Sequence, residues 1–428
     1  MFKKILFLGA LTTAFSAYAQ DMNYTSQVLD KLTSADFAGR GYVEDGHLKA
    51  ATYIAAEFEK VGLKKFEKTY FQTFELPVNM FPGAMEVMIE KDIFLKPGKD
   101  YLVSANSPSL KGGFDLVYID STVVADKKKL KKMSQMDYSA EFLVIDDANV
   151  KEQFQKDFLM ERLAMPWGAK GVIYLTDTKL TWSASSTQSG FVRIDMPRSV
   201  FNKLKHTKIF VNIEAQLKKV KTQNVIGYVP GTSKPDSFIV VSAHYDHLGK
   251  MGAATYFPGA SDNASGTSML LNLAQYYVNN TAKYSVVFIA FAAEEVEMAE
   301  PPYGLAGSAY YVEHPLFSLK KIRFQLNIDI IGDATDGITV VNGTILQSEY
   351  SAMMAINDAK KYVPNIQKRG ETKNSDHYPF YAKGVKSFFI YSRGKITAYH
   401  DVTDTKEGLP LTNYQGCFQL FKDFIAAL

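Results

Sequence analysis

Residues 239–246 read IVVSAHYD, and three runs of the same make follow: SVVFIAFAAEE at 285–295, FQLNIDIIG at 324–332 and KSFFIYS at 386–392. Each is apolar at consecutive positions rather than at alternate ones, the pattern of a strand covered on both faces. Between them and after the last, Ser265–Val278, Ser348–Tyr362 and Leu411–Leu428 repeat apolar residues at helical spacing. Buried strands alternating with helices predict an α/β fold with a mixed central sheet covered by helices. Nearer the N-terminus, Val28, Leu29 and Leu32, then Leu48, Ala51, Ile54, Ala55, Phe58 and Val61, keep a helical period and predict two opening helices.

The segment 84–216 has another texture. Short β-rich runs, MEVMIE, FDLVYID, EFLVID and AKGVIYLTD, are separated by Lys, Gly, Asp and Ser clusters, which predicts an inserted β-rich module. The expected division is a leader at 1–19, the first part of the main domain at 20–83, the insert at 84–216 and the rest of the main domain at 217–428. As a separate module over a cleft, the insert is expected on removal to leave metal binding largely intact while altering the range of substrates accepted.

With 428 residues, 46% of them hydrophobic, the chain can bury a large core. Its 48 basic and 45 acidic side chains leave a net charge of +3, so no field favours nucleic acid. The run KKKLKK at 127–132 reads as a solvated helix face. Lys3 and Lys4, an apolar stretch from Ile5 to Ala17 and the Ala17-Tyr18-Ala19 cleavage signal have the layout of a secretory signal peptide, with a mature start near Gln20 or Asp21. No other run reaches the roughly 18 apolar residues of a spanning helix. Export to the periplasm or medium, without a transmembrane anchor, is the expectation. The single cysteine, Cys417, has no internal disulfide partner.

Chemistry-bearing residues sit where the four strands end or in the loops just beyond: His244 and Asp246, Asp262 in PGASDNASG, Glu294 and Glu295, Asp329, and His400 in YHDVTDT. Open α/β sheets place ligands at this edge. Imidazole and carboxylate suit zinc, with cobalt and manganese as substitutes, and one shared carboxylate holds two ions about 3.5–4 Å apart. Asp246 is positioned to accept a hydrogen bond from the His244 imidazole and fix its tautomer. Asp262 has two roles open to it, a helix N-cap or a bridge between cations. Two adjacent carboxylates at Glu294 and Glu295 cannot both be bare buried charges, so one is expected on metal and its neighbour free to take a proton. Asp329, if not a ligand, needs Arg323 or a backbone cap. His247 is set aside as a ligand, and His47, His206 and His314 are read as surface residues.

The ordered motifs HYDH, GASDNASG, AAEE, NIDIIG, SDHYPFYAKGV and YHDVTDT, together with FAGRG at 37–41, closely resemble the M28 family of zinc aminopeptidases. The resemblance implies a zinc-peptidase, phosphorylase/hydrolase-like fold and two zinc ions. His244 and Asp329 would hold one, Glu295 and His400 the other, and Asp262 would bridge them. Glu294 would be the general base acting on a metal-bridged water, Asp246 would orient His244, and Ser375–His377 would support the site. It implies peptide substrates with a free N-terminus. Glutaminyl cyclase-like, carboxypeptidase or dipeptidase activity, or a non-catalytic binding role, are the alternatives on this fold. The insert resembles a protease-associated (PA) domain through KPGKDYLV, AKGVIYLTD and IDMPRSVFNKL, which implies influence on substrate access. One departure is the loop VEMAEPPY at 296–303, which separates the paired glutamates from GLAGS at 304–308.

Overall fold

The computed structural model describes residues 20–90, 92–201, 206–299 and 304–428. The leader expected at 1–19 lies outside them. Strands Tyr284–Phe291, Lys234–His244, Ile322–Ile328 and Ser387–Ser392 lie side by side and parallel. They form the middle of a mixed sheet of ten strands among the described residues, extended antiparallel on one side by Gln216–Val229 and Phe71–Met80 and on the other by Ile338–Val341.

The consecutive apolar residues of the four central strands are used on alternate faces, as the period of two requires. Ile239, Val241 and Ala243 pack into a core with helices Gly46–Val61, Gly266–Asn279 and Tyr414–Ala427. Phe238 and Val240 face the other way, with Val287, Ile289, Phe291, Tyr311 and Phe380, under helices Ala306–Glu313 and His377–Ala382. Burial on both faces explains why no polar alternation shows in these runs. The opening helices are Met22–Leu32 and Gly46–Val61. Between them, FAGRG makes a tight turn against the main domain. Gly39 has φ +63°, and a Cβ there would lie 2.5 Å from the carbonyl oxygens of Gly249 and Phe257, so only glycine fits.

The insert carries its own eight-stranded sheet among the described residues, from Met85–Ile89 to Lys208–Ile213. Four of its strands, Leu110–Ile119, Glu141–Asp146, Gly171–Thr176 and Val192–Pro197, are parallel. One side is covered by helices, including Lys127–Met133, whose lysines are exposed, and Gln153–Ala164. The other side meets the main domain: Phe81, Leu248, Met251 and Phe257 share one core with insert residues such as Val103, Trp182, Ile194 and Val211.

This junction argues against a clean removal of the insert. Residues 184–185, inside the expected insert, pair with Asn79 and with Val296–Glu297 in the main sheet. Deleting the insert would also bare Leu248, Met251 and Phe257, each worth about 1.5–3 kcal/mol in buried apolar surface. Two of the histidines read as surface residues are buried as well, His47 at 3% exposure and His206 at 4%. The His47 ring nitrogens face the carbonyls of Gly41 and Lys221, so it ties the FAGRG turn to the sheet.

Candidate metal centre

The parallel strands all end at the same edge, and the predicted residues converge there. His244 is the last residue of its strand, Asp329 follows Ile328 directly, and Glu294 and Glu295 follow Phe291 after a turn with Ala293 at φ +56°. Asp262 comes from the loop ahead of helix Gly266–Asn279, and His400 from the segment beyond Ser392.

The Asp262 carboxylate divides its two oxygens. Oδ1 lies 3.3 Å from His244 Nε2 and Oδ2 lies 3.2 Å from His400 Nε2. Asp329 Oδ1 completes the first group at 3.1 Å from His244 Nε2, and Glu295 Oε2 completes the second at 3.1 Å from His400 Nε2. All five residues predicted as ligands therefore meet, in two triads that share Asp262. His244, Asp262, Glu295 and Asp329 are buried, and the His400 side chain is 13% exposed. Arg323, the alternative partner of Asp329, instead lies over the Tyr284 ring.

Each imidazole is turned by a carbonyl. His244 Nδ1 is 3.2 Å from the Asp246 carbonyl and His400 Nδ1 is 2.7 Å from the Trp182 carbonyl. A carbonyl only accepts, so Nδ1 carries a hydrogen, and the ring in its neutral, metal-binding form leaves Nε2 bare toward the carboxylates. His400 Nε2 is buried without a hydrogen-bond partner. A bare imidazole nitrogen facing two carboxylates is a poor set of mutual partners and a good set of zinc ligands, so the residues fit the metal.

Charge tells the same story. Burial alone would lower His244, but Asp329, Glu294 and Asp262 outweigh it and hold the imidazole well above its usual value. His400 is likewise lifted to about 11, with Glu295 and Asp262 overcoming burial. Burial would raise Asp262 and Glu295, yet the facing histidines hold Asp262 well below the carboxylate range and Glu295 at about 2. Without metal, protons on the two histidines neutralise the carboxylates; a dication would displace them. Glu294 behaves differently. It is half-buried, and burial, reinforced by Glu295, Asp329 and Asp376 and only partly offset by His244, raises it well above the usual range. Raised in this way, the Glu294 carboxylate is a stronger base than an ordinary one, which suits it to proton transfer.

Asp246 departs from its expected contact. Its carboxylate is 3.9 Å from His244 Nδ1 and instead accepts from the backbone N–H groups of Glu294 at 3.1 Å and Glu295 at 3.3 Å. It braces the turn that carries both glutamates, while its main-chain carbonyl orients His244. Burial raises its carboxyl to about 7. Asp262 is not the helix cap. Asn263 Oδ1 takes that work, accepting from Gly266 N at 2.9 Å and Ile330 N at 3.2 Å. A Cβ on Gly266 would lie 2.2 Å from that Oδ1, so glycine lets the helix approach its cap. Ser375 donates to Asp329 Oδ2 at 2.9 Å and accepts from Asn327 Nδ2 at 2.9 Å, which gives the SDH segment a direct hold on a candidate ligand.

Four contributors escaped the sequence reading. Arg40, fully buried, donates to five carbonyls, those of Leu32, Tyr245, Pro258, Gly259 and Asp262, and so ties the Asp262 loop to the strand end. Asp404 accepts from the backbone N–H groups of Ser261 and Asp262 on the other side of that loop. His247, set aside from the sequence, stands inside the cluster with Nδ1 2.9 Å from Glu295 Oε1. The Trp182 carbonyl comes from the insert. Arg40 and Asp404 lie within the quoted motifs FAGRG and YHDVTDT, so a signal existed; nothing local marks a backbone carbonyl such as that of Trp182.

The sequence profile of Peptidase family M28 matches residues 224–425, a stretch that contains all seven predicted site residues. Aminopeptidase YwaD of Bacillus subtilis (strain 168) is 32% identical over 170 residues, 39% of this chain and 34% of that protein. A glutamate carboxypeptidase 2 homolog of Caenorhabditis briggsae is 30% identical over 174 residues, 39% of this chain and 20% of that protein. The chain thus spans only about a third or less of the length of these curated relatives. In fold, it is similar to BSAP, a zinc aminopeptidase from Bacillus subtilis, with a TM-score of 0.69 and 19% identity over 95% of each chain. It is also similar to a peptidase M28 precursor from Shewanella amazonensis SB2B, with a TM-score of 0.66 and 14% identity over 95% of this chain and 92% of that one. The matched profile identifies residues 224–425, just under half of the chain, as similar to peptidase family M28.

Proposed function

We propose that the protein is an exported, zinc-dependent aminopeptidase that removes residues from the free N-terminus of peptides. The observation that carries the reading is the divided carboxylate of Asp262, with one oxygen toward His244 and Asp329 and the other toward His400 and Glu295. Two zinc ions held by these five residues would supply Lewis acidity for the scissile carbonyl and for the attacking water. Glu294 takes the proton of that water and returns it to the leaving amine, a role for which its raised pKa and partial exposure suit it. Asp246 holds the Glu294 and Glu295 backbone so that one side chain stays on the ligand cluster and the other beside it. His247 fixes Glu295 through Oε1 and leaves Oε2 toward His400. The excess of carboxylates at the strand edge favours a substrate ammonium group, and relatives named as aminopeptidases support the exopeptidase reading.

Similarity to proteins named glutamate carboxypeptidase 2 homolog gives carboxypeptidase activity as the second reading. Peptides with free N-termini, blocked N-termini and blocked C-termini, with products identified by mass, decide between them. Loss of N-terminal residues only from peptides with a free amine is expected. Cleavage that requires a free C-terminus would overturn the aminopeptidase reading, and full activity after chelation would overturn the metal centre. Export rests on the charged, apolar and small-residue pattern of residues 3–19, and the insert is read as a PA-like cover over the cleft. Among the described residues no helix is long and apolar enough to cross a membrane. N-terminal sequencing of the exported chain should find Gln20 or Asp21.

A further inference from the structure

We infer that the insert is a built-in part of the second metal position: its segment 179–186 is a strap that positions His400 and Glu295. The inference rests on the metal-centre reading given above and adds to it a structural source for one half of the site.

The strap reaches both ligand-bearing loops. On the His400 side, Trp182 and His400 exchange two hydrogen bonds: His400 Nδ1 donates to the Trp182 carbonyl at 2.7 Å, and Trp182 N donates to the His400 carbonyl at 3.2 Å. Lys179 Nζ donates to the carbonyls of Thr397 and Tyr399 just ahead. On the Glu295 side, Ala184 and Ser185 pair in parallel with Val296 and Glu297, and Ser186 N donates to the Glu297 carbonyl at 2.9 Å. His244 and Asp329, by contrast, are carried on central strands of the main sheet and touch no residue of the strap among their hydrogen bonds.

The strap is in turn fixed by the insert. The Trp182 indole donates from Nε1 to the Val103 carbonyl at 2.7 Å, and Val103 is on a strand of the insert sheet. Its ring stacks on Phe257 at 4.7 Å between centroids. A displaced indole would move the carbonyl that holds the His400 tautomer and ring direction. Partners of this kind typically change metal affinity by about 10–100-fold when removed. Trp182 is a positioning residue, since it acts through His400.

The test measures zinc affinity in the mature chain by competition with a chromogenic chelator, and amide hydrogen exchange of the metal-free chain. Trp182→Ala should weaken one of two zinc sites by about 10–100-fold and leave the other within about twofold. In the metal-free chain it should speed exchange at 296–297 and 397–400 but not at 239–244. Trp182→Phe, which keeps the stacked ring, should recover most of the affinity. Lys179→Ala, at a partly exposed position that leaves the core alone, should weaken the same site by a few-fold, and it carries the test if Trp182→Ala does not fold. Two unchanged sites, or equal loss at both, in a folded variant would overturn the strap. Fewer than two sites in the wild type would instead overturn the two-metal reading, and the exchange pattern would still decide whether 179–186 holds the two loops.

Discussion

Arg40→Met keeps most of the length and volume of a fully buried side chain while removing every donor it has. Five carbonyls, those of Leu32, Tyr245, Pro258, Gly259 and Asp262, lose their partner together. Hydrogen bonds from a charged group are worth about 1.5–3 kcal/mol each, so five at face value would rival the whole stability of a typical protein, about 5–15 kcal/mol. Desolvation offsets much of this. Burial lowers the guanidinium to about 10 against the pull of Asp262, Asp404, Asp246 and Glu295, and removing a buried cation returns several kcal/mol. The net loss should be about 3–5 kcal/mol, the usual cost of breaking a buried charged network. Urea unfolding of the metal-free chain should therefore show a lower midpoint with little change in slope. Arg40→Lys, with three donors and no planar fork, should recover only part of the difference. Because Asp262 faces both triads, zinc affinity should fall at both positions. A stability within about 1 kcal/mol of wild type, or unchanged affinity at both positions, would refute the view that Arg40 anchors the bridging loop.

Glu294→Gln should leave zinc content near normal while kcat falls about 100-fold or more, whereas Glu295→Gln should lower zinc content; the opposite pattern in steady-state kinetics and metal analysis would reverse the two roles. Asp246→Asn replaces one of the two acceptors beneath the glutamates and should lower kcat by about tenfold or more with both ions retained, and an unchanged kcat would show that the brace is dispensable. Zinc binding should release protons near pH 7, because both facing histidines are raised in the metal-free chain, and calorimetry in buffers of different ionisation enthalpy should detect it; no proton release would contradict the charge assignment. His400 is raised from 6.5 to about 11, so its stabilising contribution is complete below pH 6.5 and is lost as pH climbs through 11. Thermal melts of the metal-free chain should decline over that alkaline range, and a rise would refute the pairing of His400 with Glu295 and Asp262.

The main fold was legible because its strands are buried on both faces, and two-sided burial leaves an uninterrupted apolar run that needs no knowledge of what covers it. The candidate residues at the strand ends were legible for a related reason, since bare acids and imidazoles there violate burial rules unless they have a shared purpose, and the resemblance of the ordered motifs singled out five ligands among them and the neighbouring loops. Local sequence also named the three helices Gly266–Asn279, Gln347–Lys360 and Tyr414–Ala427 to within a few residues. It misjudged Asp246, whose carboxylate supports the glutamate turn, because the choice between a side-chain and a main-chain contact to His244 depends on the path of the loop 245–247. It left two roles open to Asp262, and Asn263 takes the cap. Arg40, Asp404 and the Trp182 carbonyl were decided by tertiary structure alone. Arg40 lies more than two hundred residues from the carbonyls it serves on the Asp262 loop, and Trp182 lies 218 residues from His400. Hydrogen-bond partners at such separation are chosen by the packing of distant segments against each other. A backbone carbonyl has the same chemistry in every residue, so only its position in the folded chain makes it part of a site.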